Sequence, residues 1–167
     1  MSPLGRSPDA DRAARSAAGA VSMARARLRL HAQATVIDFV DGPTVTLPVG
    51  PSGLAAAVLR HDPPTAAELE HAIDRVEDAL AGSRLAAADR GALVFSDALL
   101  LALPGFDAPG AGLGRDAVEA LFQRLASRAL GTPVAAAELP HGRDVAAALL
   151  ILRECMHHLG FGRASAA

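Results

Sequence analysis

Arg25-Ala26-Arg27-Leu28-Arg29-Leu30-His31-Ala32 alternates charged and small or apolar side chains with a period of two. Such alternation suits a strand with one wet face and one buried face. A second run, residues 35–40, leads into Asp41-Gly42, a turn signal because both residue types tolerate positive φ. Residues 44–49 alternate again, with Val45, Leu47 and Val49 on one face. Together the three runs predict an antiparallel meander of three strands.

Helical periodicity follows. Residues 54–60 predict a short helix stopped by His61-Asp62-Pro63-Pro64. Thr65 with Glu68 three positions later predicts a capping box. The helix it opens runs to about Ala81 and places Leu69, Ile73, Val76 and Leu80 on one face. Leu93–Phe95 is read as a fourth strand, followed by a helix over 98–103 and a Gly/Pro-rich loop over 104–114. Residues 116–130 form an amphipathic helix through Val118, Leu121, Phe122, Leu125 and Leu130. The last helix, 143–159, is apolar around much of its circumference and ends at Gly160, so it belongs at the centre of the packing. This element order predicts an α/β (α+β) domain with helices covering a mixed sheet.

The whole chain has 167 residues, enough for one domain with a core. All sixteen basic residues are Arg and alanine supplies more than a fifth of the chain, a bias that points to coding preference rather than chemistry. The net charge of −2 gives no global field toward nucleic acid or an anionic membrane. One Cys excludes an internal disulfide, and a cytoplasmic location is expected. The apolar run at 145–152 is far short of the roughly 20 residues of a membrane span. Residues 1–22 have almost no large apolar side chains and are expected to be a disordered arm, or to precede a true start at Met23.

The order of elements, with particular phrases, resembles the second lobe of the exopolyphosphatase/guanosine pentaphosphate phosphatase (Ppx/GppA) family. Leu47-Pro48-Val49-Gly50 closes the meander, and His61-Asp62-Pro63-Pro64-Thr65 leads to Glu68-Leu69. Leu139-Pro140-His141-Gly142-Arg143-Asp144 then precedes a helix ending Leu150-Ile151-Leu152…Met156…Leu159-Gly160. The likeness spans roughly residues 25–161. It implies a single actin/sugar-kinase-like (ribonuclease H-like) lobe over 23–162, with 163–167 as a C-terminal tail lying before the family's closing strand.

Against the family's pattern, this sequence is degenerate. The family's loop of aspartate, isoleucine, three glycines, serine and threonine falls on Arg29-Leu30-His31-Ala32-Gln33-Ala34-Thr35, where Thr35 alone is kept. The family's glycine-glycine-threonine loop falls on Phe95-Ser96-Asp97. Glycines let backbone N–H groups approach phosphate oxygens; side chains obstruct them, and Asp97 places a negative charge there. The resemblance therefore marks Arg29, His31, Gln33, Thr35, Ser96 and Asp97 as the remaining phosphate-end residues, with no catalytic residue assigned. It implies a lobe without independent catalysis, acting as a binding or regulatory module with a second copy or another protein. Pairing is expected through the apolar face of the terminal helix, and a phosphorylated small molecule is the expected ligand class. Two alternatives stay open: a weak phosphatase on polyphosphate or guanosine polyphosphates, assembled across a dimer and using magnesium, and a structural subunit of a neighbouring enzyme.

Other chemistry is thin. Cys155, His157 and His158 stand at i, i+2 and i+3 and do not converge on one ion, so no metal site is expected. Gly105–Gly114 is glycine-rich before a helix but contains Pro109, follows Pro104 and has no Lys, and reads as a connector. The row Arg25, Arg27, Arg29, His31 suits anions, or an edge strand protected by charge; it lacks aromatic neighbours for base stacking, so nucleic acid is not expected.

Overall fold

The computed structural model describes residues 24–132 and 139–167. The readings of residues 1–22 as an arm and Met23 as a start lie outside them.

The meander forms as expected: β1 (Ala24–Leu30), β2 (Thr35–Phe39) and β3 (Thr44–Leu47) are antiparallel neighbours. Leu28 lies opposite Ile37, and both are buried. Arg25, Arg27 and Arg29 point the other way and are exposed. Pro51, at the first helical position, sets α1 (Pro51–Ala57) three residues earlier than the periodicity suggests, because proline's fixed φ favours that position. Then follow α2 (Ala66–Gly82), β4 (Ala92–Phe95) and α3 (Ala98–Leu101).

The remaining elements are β5 (Gly112–Gly114), α4 (Arg115–Ala129), α5 (Arg143–Leu159) and β6 (Arg163–Ala166). The six strands are ordered β3-β2-β1-β4-β6-β5, with β4 parallel to both β1 and β6. Two expectations are corrected here. Residues 163–167 are not a tail: 163–166 are a sheet strand between β4 and β5. The loop over 104–114 also ends in a strand. Neither strand contains a β-branched or aromatic residue, so neither carried a local signal. Gly112 has no room for a side chain, since a Cβ there would lie 2.5 Å from both Ala164 O and Ser165 Oγ.

α5 is the hub. α1, α2, α3 and α4 all pack on it, and Ala147, Leu149, Leu150, Ile151, Leu152, Cys155 and Met156 are buried. Its apolar circumference is thus consumed within the chain, which corrects the expectation that it pairs with a partner. The core side of the sheet presents Ala26, Leu28, Ile37, Leu93, Phe95 and Ala164 to these helices. No helix among the described residues is long and apolar enough to cross a membrane.

The capping box at α2 is formed: Glu68 N–H donates to Thr65 Oγ1 at 3.2 Å and Thr65 N–H to Glu68 Oε2 at 2.9 Å. Burial pushes the Glu68 carboxyl up, but the N–H groups of Thr65 and Arg60 and the His61 ring outweigh it and bring it from 4.5 to about 2. A depressed carboxyl contributes stability that is complete above pH 4.5 and disappears as pH falls toward 2. Urea midpoints measured from pH 6 to 2.5 are therefore expected to fall less steeply for Glu68→Gln than for the native chain. Parallel curves would contradict the assignment.

Candidate functional site

Parallel pairing of β1 with β4 carries the segments after them, residues 31–34 and 96–97, to the same end of the sheet. This is the end where the resemblance places phosphate. The turn after β1 closes on itself, with His31 N–H donating to Ala34 O at 2.8 Å and Ala34 N–H to His31 O at 3.4 Å. Gly53 N–H donates to Ala32 O at 2.8 Å, which docks the turn on the start of α1. The fit is tight. A Cβ on Gly50 would lie 2.2 Å from His31 O and 2.5 Å from Ala34 N, and one on Gly53 2.3 Å from Gln33 Oε1. A phosphate cradle needs backbone N–H groups turned outward together; here those of His31, Ala34 and Gly53 are engaged within the protein.

The six expected phosphate-end residues do not gather into one site. Thr35 is fully buried and its Oγ1 donates to Val49 O at 2.7 Å, so it holds β2 to the segment after β3. Asp97 Oδ1 accepts Leu99 N–H at 2.9 Å and caps α3. Arg29 lies on the sheet face that carries no helix among the described residues, with Nε and Nη2 at 2.9 and 2.7 Å from Asp38 Oδ2. The Thr44 hydroxyl, together with Arg29, holds the Asp38 carboxyl below its ordinary range. His31 and Ser96 are exposed, and the carboxamide of Gln33 lies over Gly53. What remains at this end is a closed turn with a few exposed polar groups.

Among the described residues, no three ligating side chains converge at this end. Among the described residues, the trio of ligating groups that converges is Glu77, Glu154 and His158, from α2 and α5. Those helices end at the opposite end of the lobe, before β4 and β6 begin. His158 Nε2 lies 3.1 Å from Glu77 Oε1 and 3.3 Å from Glu154 Oε2. The sequence reading grouped His158 with Cys155 and missed the carboxylates; the i, i+4 spacing of Glu154 and His158 was the available signal. Cys155 is a core residue whose thiol burial, with the neighbouring Glu154, pushes up to about 12.

A second feature that the sequence did not announce is a groove of about 800 Å³ lined by Arg25, Phe39, Asp41, Pro43, Asp89 and Arg90. Arg90 stacks over Phe39 at 5.0 Å and donates to Leu159 O at 2.8 Å, so this wall is built by the core's own closing contacts. The glycine-rich stretch serves as a connector: Gly105 and Gly110 take positive φ, and Arg115 beyond it donates to Phe161 O.

No family model matches the sequence, and no curated protein matches it. Solved structures do match the fold. A PPX-GPPA enzyme of Aquifex aeolicus superposes with a TM-score of 0.64 at 14% identity, over 85% of this chain and 52% of that one. The type II variant of the Aquifex aeolicus Ppx/GppA phosphatase gives 0.64 at 13% identity, again over 85% and 52%. An exopolyphosphatase-like protein gives 0.56 at 16% identity, over 85% and 53%. The chain thus has the fold of one Ppx/GppA-like lobe and spans about half the length of the structures it matches.

Proposed function

We propose that this chain is an exopolyphosphatase-like lobe that does not hydrolyse phosphoanhydrides by itself and acts as a binding or regulatory module. The observation that supports this most is the closed turn at 31–34, packed on Gly50 and Gly53, with the N–H groups of His31 and Ala34 bonded to each other's carbonyls. Phosphoryl transfer is catalysed by positioning and electrostatic stabilisation, through outward N–H groups, cations and metal held by carboxylates. The likeness is one of fold, and fold alone carries no chemistry. Thr35, the one residue of the family's first loop that is kept, and Asp97 are both tied to the scaffold.

The role left to the lobe is association. Because α5 is enclosed, a partner meets another surface, and the sheet face with Arg25, Arg27, Arg29 and Arg163, which carries no helix among the described residues, is a polar one on offer. The test is phosphate release from polyphosphate and guanosine pentaphosphate, with magnesium, at micromolar protein. Release no greater than that of buffer is expected. Release that rises with the square of protein concentration would overturn this reading in favour of a phosphatase assembled across a dimer. Release linear in protein would overturn it outright.

A further inference from the structure

We propose that Glu77, Glu154 and His158 form a binding site for a divalent transition-metal ion of the zinc class, at the seam between α2 and α5. Glu154 and His158 are four residues apart on α5 and so share one face, and Glu77 faces them from α2. His158 Nε2 stands 3.1 Å from Glu77 Oε1 and 3.3 Å from Glu154 Oε2, with all three ligand atoms within 4.8 Å of one another. Ligand atoms held about 2.0–2.1 Å from a tetrahedral zinc ion are roughly 3.3–3.4 Å apart. Two edges of the triangle already match that spacing, and small rotations of the half-exposed Glu77 and His158 side chains close the third.

The arrangement also has one donor for two acceptors. Nε2 carries at most one hydrogen, yet two carboxylates converge on it. One of them, Glu154, is only 1% exposed, a position where an ionised group needs a firm partner. Its other oxygen bonds Arg153, which is in turn fixed by Glu119 at 2.6 Å and by the Phe122 ring at 4.5 Å. This supporting shell orients Oε2 toward the trio, as outer partners do for metal-ligating carboxylates. A cation between neutral His158 and the two carboxylates satisfies all three groups at once. A cavity of about 360 Å³, lined by Glu77, Asp78 and His158 together with Leu80, Leu85 and Leu159, reaches two of the three ligands and supplies an entry path and room for a water as fourth ligand. Imidazole with carboxylates favours zinc and its neighbours over magnesium.

The test is calorimetric titration of the chelator-treated full chain with zinc chloride and, separately, magnesium chloride. Cobalt(II) is added in a third arm to read coordination from its visible absorption. One zinc ion per chain is expected, with dissociation below about 10 µM, negligible magnesium binding and an intense tetrahedral cobalt spectrum. Glu77→Gln lies at the surface edge and should fold with an unchanged metal-free midpoint, while weakening zinc binding at least tenfold. Glu154→Gln should do the same to zinc, whatever it does to stability. Absence of saturable zinc binding overturns the proposal and leaves His158 as a shared proton donor. Binding unaltered in both variants also overturns it, because the ion then sits on other histidines.

Discussion

Gly160→Ala is expected to destabilise the chain by more than about 3 kcal/mol. Gly160 ends α5 in the left-handed region, φ 82° and ψ 25°, where a side chain is strained. Space is the larger problem. A Cβ would fall 1.8 Å from Ala88 O and 2.7 Å from Ala88 C. That backbone has little freedom to retreat, because Ala88 N–H donates to Leu159 O at 3.4 Å and Arg90 N–H to Gly160 O at 3.2 Å. Making room separates the end of the central helix from the segment that feeds β4. In a chain of this size the thermal midpoint should drop by roughly 6–12 °C, read by circular dichroism. Gly82→Ala is the control: nothing lies within 4 Å of its Cβ position, so it should be neutral or slightly stabilising. Equal loss in both variants would contradict the packing at Ala88.

Gly50→Ala is expected to remove about 2–3 kcal/mol for a different reason. Gly50 has φ −137°, which any residue adopts, so the effect is one of space alone. The added methyl meets His31 O at 2.2 Å, Ala34 N at 2.5 Å and Ala32 C at 2.8 Å, all backbone atoms of the closed turn. The turn must therefore lift from α1 and lose the 2.8 Å bond from Gly53 N–H to Ala32 O. Amide exchange at His31, Ala34 and Gly53 should accelerate together, alongside a fall in midpoint of roughly 4–12 °C. A variant as stable as the parent, with unchanged exchange, would mean that the turn is not packed on α1 as described.

Much of the fold was legible because its signals were local. The alternation through Arg25–His31, the Thr65/Glu68 box and the apolar girth of 143–159 each depend on neighbouring residues, and each formed where the sequence placed it. β5 and β6 were not legible, since Gly-Leu-Gly and Arg-Ala-Ser-Ala become strands only through pairing with distant residues. The same limit hid the trio: Glu77 and Glu154 are far apart in sequence and meet only when α2 packs on α5. At the phosphate end, sequence comparison found the missing glycines but could not foresee that Thr35 is buried and bonded to Val49, or that Asp97 serves as a helix cap. The terminal helix shows the reverse error. Its apolar surface was evident, but that surface is covered by the chain's own α1 to α4 rather than by a partner.

The most direct test of the central claim is a thermal-shift titration of the full chain with polyphosphate and with guanosine pentaphosphate, each with and without magnesium. A lobe whose phosphate-end turn is closed should show no magnesium-dependent rise. A site that still worked would, at 100 times its dissociation constant, add about 2.7 kcal/mol and raise the midpoint by roughly 5–10 °C. Magnesium-dependent stabilisation of that size, abolished by Asp97→Asn, would contradict the account and restore a phosphoryl-transfer site.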